Sequence, residues 1–166
     1  MWYAAYGSNL HPLRLTERIS SAQLVATSIL PDWSLHFHKR SKDGSGKCTI
    51  AAADITQSVF GAVYAIDPRE KALLDRIEGV GAGYDVHWEE LLVNGTRIRA
   101  FVYLASAAYV DGKLMPYRWY KGLVLAGARH HQFPAAYISA LETVQASGDP
   151  DGERQKANEA ILAELL

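Results

Sequence analysis

Two stretches of this 166-residue chain carry groups of a kind that does chemistry. The first is Tyr6-Gly7-Ser8-Asn9, where an apolar run starting at Trp2 ends in three small residues before a helical-looking segment. Small residues after a strand let a ligand approach the main chain, and successive N–H groups there can form an anion-binding nest. The second is Glu78, which closes a helical pattern just ahead of Gly79. An acid in the last turn of a helix faces the negative end of the dipole. Burial beside Ile77 and Val80 would add to that cost. Both effects disfavour the charged form, which suits a general base working near neutrality. Plainer readings stay open on the residues alone: a strand-to-helix turn capped by Ser8 or Asn9, and a surface glutamate in a fraying turn.

Other signals carry less. Asp43-Gly44-Ser45-Gly46-Lys47-Cys48 resembles a nucleotide loop, but Ser41 and Cys48 stand where that pattern requires Gly and Ser or Thr. His130 and His131 are adjacent, so helical spacing does not aim both at one metal. His36 and His38 share a strand face without a third ligand nearby. Gly79-Val80-Gly81-Ala82-Gly83 leaves a helix where a dinucleotide fingerprint would enter one. No metal and no cofactor is expected.

The elements that must position the two stretches are well marked. Trp2 to Tyr6 reads as a strand and Leu13 to Ile19 as a short amphipathic helix. Strands are expected over Leu24 to Leu30, Trp33 to His38, Cys48 to Ile55 and Val59 to Ile66, with a loop at Lys42 to Gly46. Asp67, Pro68 and Glu70 supply an N-cap, a first-turn proline and an N3 acid. Leu73, Leu74 and Ile77 form the stripe expected to be buried, and Gly79 the stop. Tyr84 to Val93 and Thr96 to Leu104 pair around Asn94-Gly95, a strong hairpin signal. Helices are expected from Pro116 to Arg129, from Pro134 onward, and from Glu153 to Leu166. Strands first and helices later indicate one α+β domain, residues 1–166, with a mixed or barrel-like sheet.

Composition bounds the partners. Hydrophobic residues make up 49% and the formal net charge is −1, from 17 basic and 18 acidic residues. That balance gives no electrostatic ground for nucleic acid or an anionic membrane. The one cysteine, Cys48, excludes an internal disulfide framework. With no apolar run of about 20 residues and no secretory signal pattern, a cytoplasmic protein is expected, monomer or homodimer.

Tyr6-Gly7-Ser8-Asn9-Leu10, Leu74-Asp75-Arg76-Ile77-Glu78-Gly79-Val80 with Tyr84 after it, and Tyr120-Lys121 with Gly127-Ala128 and Pro134 to Tyr137 occur in the order found in γ-glutamylcyclotransferases. Over nearly its whole length the chain resembles that family. The resemblance implies a mixed-sheet, barrel-like α+β fold with the ligand cavity at one end. It also implies the reaction: a γ-glutamyl amide cyclises through its own α-amine, giving 5-oxoproline and the free amine, without a cofactor. By this resemblance Glu78 is the general acid/base, Tyr6, Gly7, Ser8 and Asn9 bind substrate, and Tyr84 and Tyr120 lie near the site. Asn9 sets the loop apart from the glutathione-specific branch. Two alternatives stay open: a non-catalytic small-molecule binding module on the same fold, and a γ-glutamyl deprotection enzyme of a biosynthetic pathway. The segment between Ala105 and Pro116, with Tyr109 and Tyr117 at its ends, is expected to shape the leaving-group side.

Overall fold

β-Branched and alternating stretches in the first two thirds of the chain form strands, and the Ala- and Leu-rich remainder forms helices. In the computed structural model, which describes residues 1–166, the strands are β1 (Trp2–Ala5), β2 (Gln23–Pro31), β3 (Trp33–Arg40), β4 (Gly46–Ala52), β5 (Ser58–Ala65), β6 (Tyr84–Val93) and β7 (Thr96–Ala105). The helices are α1 (Pro12–Thr16), α2 (Lys71–Glu78), α3 (Arg118–His130), α4 (Ala135–Thr143) and α5 (Gly152–Leu165). None is long and apolar enough to cross a membrane.

Five strands form a mixed sheet in the order β2-β5-β1-β7-β6, and β3 and β4 make a separate hairpin. Strand β1 lies in the middle, antiparallel to β5 and parallel to β7. The α+β architecture therefore agrees with the sequence pattern, but the barrel-like core is an open, curled sheet. Its edge strands β2 and β6 meet where Ser28 Oγ donates to the Leu92 carbonyl at 3.2 Å, and no backbone ladder joins them.

The local rules of turn chemistry explain the best-defined elements. Asn94 and Gly95 both take left-handed φ, 49° and 79°, the geometry a two-residue hairpin turn demands. Asp67 caps a short 3-10 turn by accepting the Arg69 N–H at 2.9 Å, and α2 continues from it. Gly79 ends α2 with φ 78°, donating its N–H to the Asp75 carbonyl at 2.9 Å. Glu70 does not reach back to the cap; it accepts the Ser21 N–H at 2.9 Å and so ties α2 to the segment before β2. Farther along α2, Asp75 accepts the Tyr103 hydroxyl at 2.7 Å. Leu74 is fully buried as expected, whereas Ile77 is 41% exposed, because the inward position of the last turn goes to Glu78.

Tyr64, Phe101, Leu10, Leu15 and Leu123 are among the largest fully buried side chains of one continuous apolar cluster. Each contributes about 1.5–3 kcal/mol by leaving water. Helix α1 is shorter than the amphipathic pattern suggested, but Ile19 beyond its end is fully buried all the same. Helix α3 packs directly on the loop after β1. A Cβ added at Gly127 would lie 2.3 Å from Leu10 Cβ and 2.9 Å from the His11 nitrogen. Only glycine permits that approach.

Candidate active site

Strand β1 delivers the Tyr6 to Asn9 loop to the end of the sheet, and α2 delivers Glu78 to the same point. The two stretches meet through side chains: Asn9 Nδ2 donates to Glu78 Oε1 at 2.9 Å and to the Tyr3 hydroxyl at 3.2 Å. Arg18 locks the amide in that orientation by donating to Asn9 Oδ1 at 3.1 Å, and its guanidinium stands 3.5 Å from Glu78 Oε1. A neutral donor and a cation thus hold one carboxylate whose side chain is 17% exposed. Sequence reasoning placed Asn9 in the loop but missed Arg18 and Tyr3 as its partners. Arg18 sits beyond the end of α1, where the pattern read as a solvent-facing helix.

Gly7 sits at a close contact between elements. The space beside it is already filled: an added Cβ would sit 3.1 Å from Cys48 Cβ and 3.4 Å from the Tyr120 hydroxyl. The glycine therefore lets the loop close on β4 and α3, and it lines the small chamber beside Glu78 as well. The loop's own bond, Leu10 N–H to the Gly7 carbonyl at 3.0 Å, uses neither the Ser8 nor the Asn9 N–H. Both residues line a tight chamber of about 30 Å³ with Glu78, Tyr84, Tyr103 and Tyr120. That volume admits a reacting functional group, and a larger ligand must extend outward from it.

The tyrosines differ in what they leave free. The Tyr6 hydroxyl donates to the Tyr103 carbonyl, and Tyr84 donates to the Cys48 carbonyl at 2.5 Å. Both are committed to backbone and present rings to the chamber. The Tyr120 hydroxyl accepts the Cys48 N–H at 3.1 Å, which leaves its own proton available. Burial raises all four tyrosines Tyr3, Tyr6, Tyr84 and Tyr120 above the usual phenol range, and the Glu78 charge raises them further. They are neutral donors at physiological pH. Burial also pushes the Cys48 thiol up to about 12, so it is not a thiolate nucleophile.

Outside the chamber a wider cleft of about 180 Å³ opens past Ser8, Glu78, Tyr84 and Tyr120, walled by Arg14, Arg18, Lys39 and Lys47. It continues past Ile77 and Lys39 to Tyr109, the one end of the Ala105 to Pro116 segment that reaches this surface. The other end, Tyr117, donates to the Asp43 carbonyl at 2.8 Å instead. No cluster of three or more His, Cys, Asp or Glu side chains capable of holding a metal occurs. The arrangement offers one carboxylate for proton transfer, neutral donors for a developing oxyanion, and cations for substrate carboxylates.

Known proteins resemble this chain along its length. The model of the AIG2-like family matches residues 58–141, just over half the chain. The human protein named gamma-glutamylcyclotransferase is 29% identical over 165 residues, spanning 96% of this chain and 84% of that protein. The bovine protein of the same name is 27% identical over the same shares. A solved structure of a gamma-glutamyl cyclotransferase superposes with a TM-score of 0.86 at 26% identity, covering 99% of this chain and 98% of that one.

Proposed function

This chain belongs to the AIG2-like family, and from that premise we propose that it is a γ-glutamylcyclotransferase releasing 5-oxoproline from γ-glutamyl amino acids or amides. The observation that carries this reading is the Glu78 carboxylate held by Asn9 and Arg18 against a loop with two free N–H groups. The resemblance to the human and bovine gamma-glutamylcyclotransferases supports the choice of reaction.

The chemistry asks little beyond these groups. Glu78 takes a proton from the substrate α-ammonium, and the freed amine attacks the γ-carbonyl to close a five-membered ring. The negative charge that develops on the carbonyl oxygen is met by the Ser8 and Asn9 N–H groups and by the Tyr120 hydroxyl. Collapse of that intermediate breaks the amide bond, and Glu78 returns the proton to the departing amine. One γ-glutamyl amide becomes 5-oxoproline plus a free amine, with no water consumed. Intramolecular attack from a well-oriented conformer is worth roughly 7–11 kcal/mol of barrier. General acid/base transfer adds about 10²–10⁴-fold, and loss of one oxyanion donor costs about 10²–10³.

Purified protein incubated with γ-glutamyl-alanine and followed by mass spectrometry tests the reading. Equal amounts of 5-oxoproline and alanine are expected. Release of glutamate instead would make the protein a hydrolase, and binding without turnover would make it a binding module.

A further inference from the structure

Lys39 occupies a position where a lysine costs stability. Strand β3 alternates Trp33, Leu35, Phe37, Lys39 along one face, so the lysine continues the inward row, and it is only 8% exposed. A bulge between His36 and Lys39 re-registers the strand at this point. The ammonium lies over the Tyr84 ring, 4.6 Å from its centroid, with neither a hydrogen bond nor an ion pair to a side chain. Gly83 makes the space: a Cβ there would stand 2.7 Å from Lys39 Cε and 2.8 Å from Nζ. Arg14, on the loop side of the same cleft, is comparably buried at 9% exposed; its Nε has no partner and its nearest carboxylate, Glu17, is 4.0 Å away. Burial pulls both cations below their ordinary range, Arg14 to about 10. Arg18 and Lys47 in this cleft are compensated by Glu78 and Asp43. Arg14 keeps a marginal pairing with Glu17, whereas Lys39 is influenced by Glu78 and Asp43 only from a distance and has no protein anion in direct contact.

A γ-glutamyl amino acid carries two carboxylates, one on the glutamyl α-carbon and one on the leaving group, and this inference rests on the cyclotransferase reading above. The two cations are not equivalent in place. Arg14 lines only the loop-side cleft, whereas Lys39 also lines its outward continuation with Arg40, Lys42 and Arg76, where there is room for a leaving group that the small chamber does not hold. We propose that Lys39 binds the carboxylate of the leaving amino acid, so that the protein selects γ-glutamyl compounds with an anionic leaving group over those that release a neutral amine or amide. Buried and seated between Gly83 and Tyr84, the ammonium is preorganised for that charge. Its surroundings, with Arg76 and Lys42 beyond, place no acid other than Glu78 against an arriving carboxylate.

The test compares γ-glutamyl-alanine with γ-glutamyl-alaninamide, which differ only in that charge, by kcat/KM for 5-oxoproline release and by calorimetric affinity. The wild type should favour the carboxylate by about tenfold or more. Lys39→Met should bring the ratio to near one by losing the carboxylate compound and sparing the amide, and Lys39→Arg should restore most of it. A thermal melt of each variant confirms that the fold is kept. A wild-type ratio near one, or an equal loss of both compounds in Lys39→Met, overturns the assignment. The two readings fail separately. Turnover without charge preference removes the role of Lys39 and keeps the reaction. Preference in binding without 5-oxoproline removes the reaction and keeps the anionic pocket. Neither binding nor turnover removes both.

Discussion

Asn9 Nδ2 lies 2.9 Å from Glu78 Oε1, joining residues sixty-nine positions apart. Through that contact the Asn9 side-chain amide aims the carboxylate. Its other bonds, to the Tyr3 hydroxyl and from Arg18, leave the amide a single orientation. Hydrogen bonds to a charged group are worth about 1.5–3 kcal/mol. Asn9→Ala is therefore expected to lower kcat by about 10- to 100-fold. KM should change less, because the lost bond orients Glu78 and does not hold substrate. Steady-state kinetics on γ-glutamyl-alanine checks the split.

Arg18 acts on the same carboxylate both directly and through Asn9. Its replacement in Arg18→Gln should also reduce kcat, and the double variant Asn9→Ala/Arg18→Gln should be less impaired than the product of the two single losses. Residues in one network couple by about 0.5–3 kcal/mol. A double-mutant cycle on kcat/KM measures the coupling, and strict additivity would show two independent groups.

Some of this was legible in the sequence. Asn94-Gly95 marked the β6–β7 hairpin and Asp67-Pro68 the start of the Glu78 helix, because those signals are local and set by backbone sterics. The loop and Glu78 could each be singled out, but their meeting depends on β1 running beside β7 and on α2 being tied down through Glu70 and Asp75, contacts distant in sequence. Periodicity put Ile77 inside, yet a short helix has room for few inward positions and Glu78 takes the last. Lys39 drew no notice because the strand pattern stops at His38, and a lysine followed by Arg40 and Lys42 reads as a solvated basic loop. That Gly7 also packs against Cys48 and Tyr120 could not be read from the loop, because both partners are distant in sequence.

The contact between α3 and the loop offers a packing test. Gly127→Ala should push the helix off Leu10 and His11, costing about 1–3 kcal/mol by overpacking, and should lower activity by displacing the Ser8 and Asn9 N–H groups. Gly152→Ala, at a helix start with nothing within 4 Å, is the matched control and should be neutral or slightly stabilising. Thermal melts of both proteins, alongside activity, decide.

His11 gives the fold a pH dependence. It is 4% exposed, its Nδ1 is buried without a partner, and its ring lies 4.4 Å from that of His130. Burial first, then the neighbouring His130 and His131, lower it from 6.5 to about 4. Between those values the unfolded chain binds the proton that the folded one refuses. Stability is thus complete above pH 6.5 and declines as pH falls towards 4. The melting temperature should drop from pH 7.5 to pH 5, and His11→Asn should flatten that slope. An unchanged slope would assign the loss to other groups, among them His131, which burial also lowers.

The most direct measurement is 5-oxoproline release from γ-glutamyl-alanine by wild type and Glu78→Gln at matched concentration, with a thermal melt of each. The amide keeps the shape of the side chain and removes its capacity to carry a proton between the α-amine and the leaving amine. A loss of at least about 10²-fold is expected, with the melting temperature close to that of the wild type. Wild-type rates in Glu78→Gln would contradict the assignment of Glu78 as the group that moves the proton.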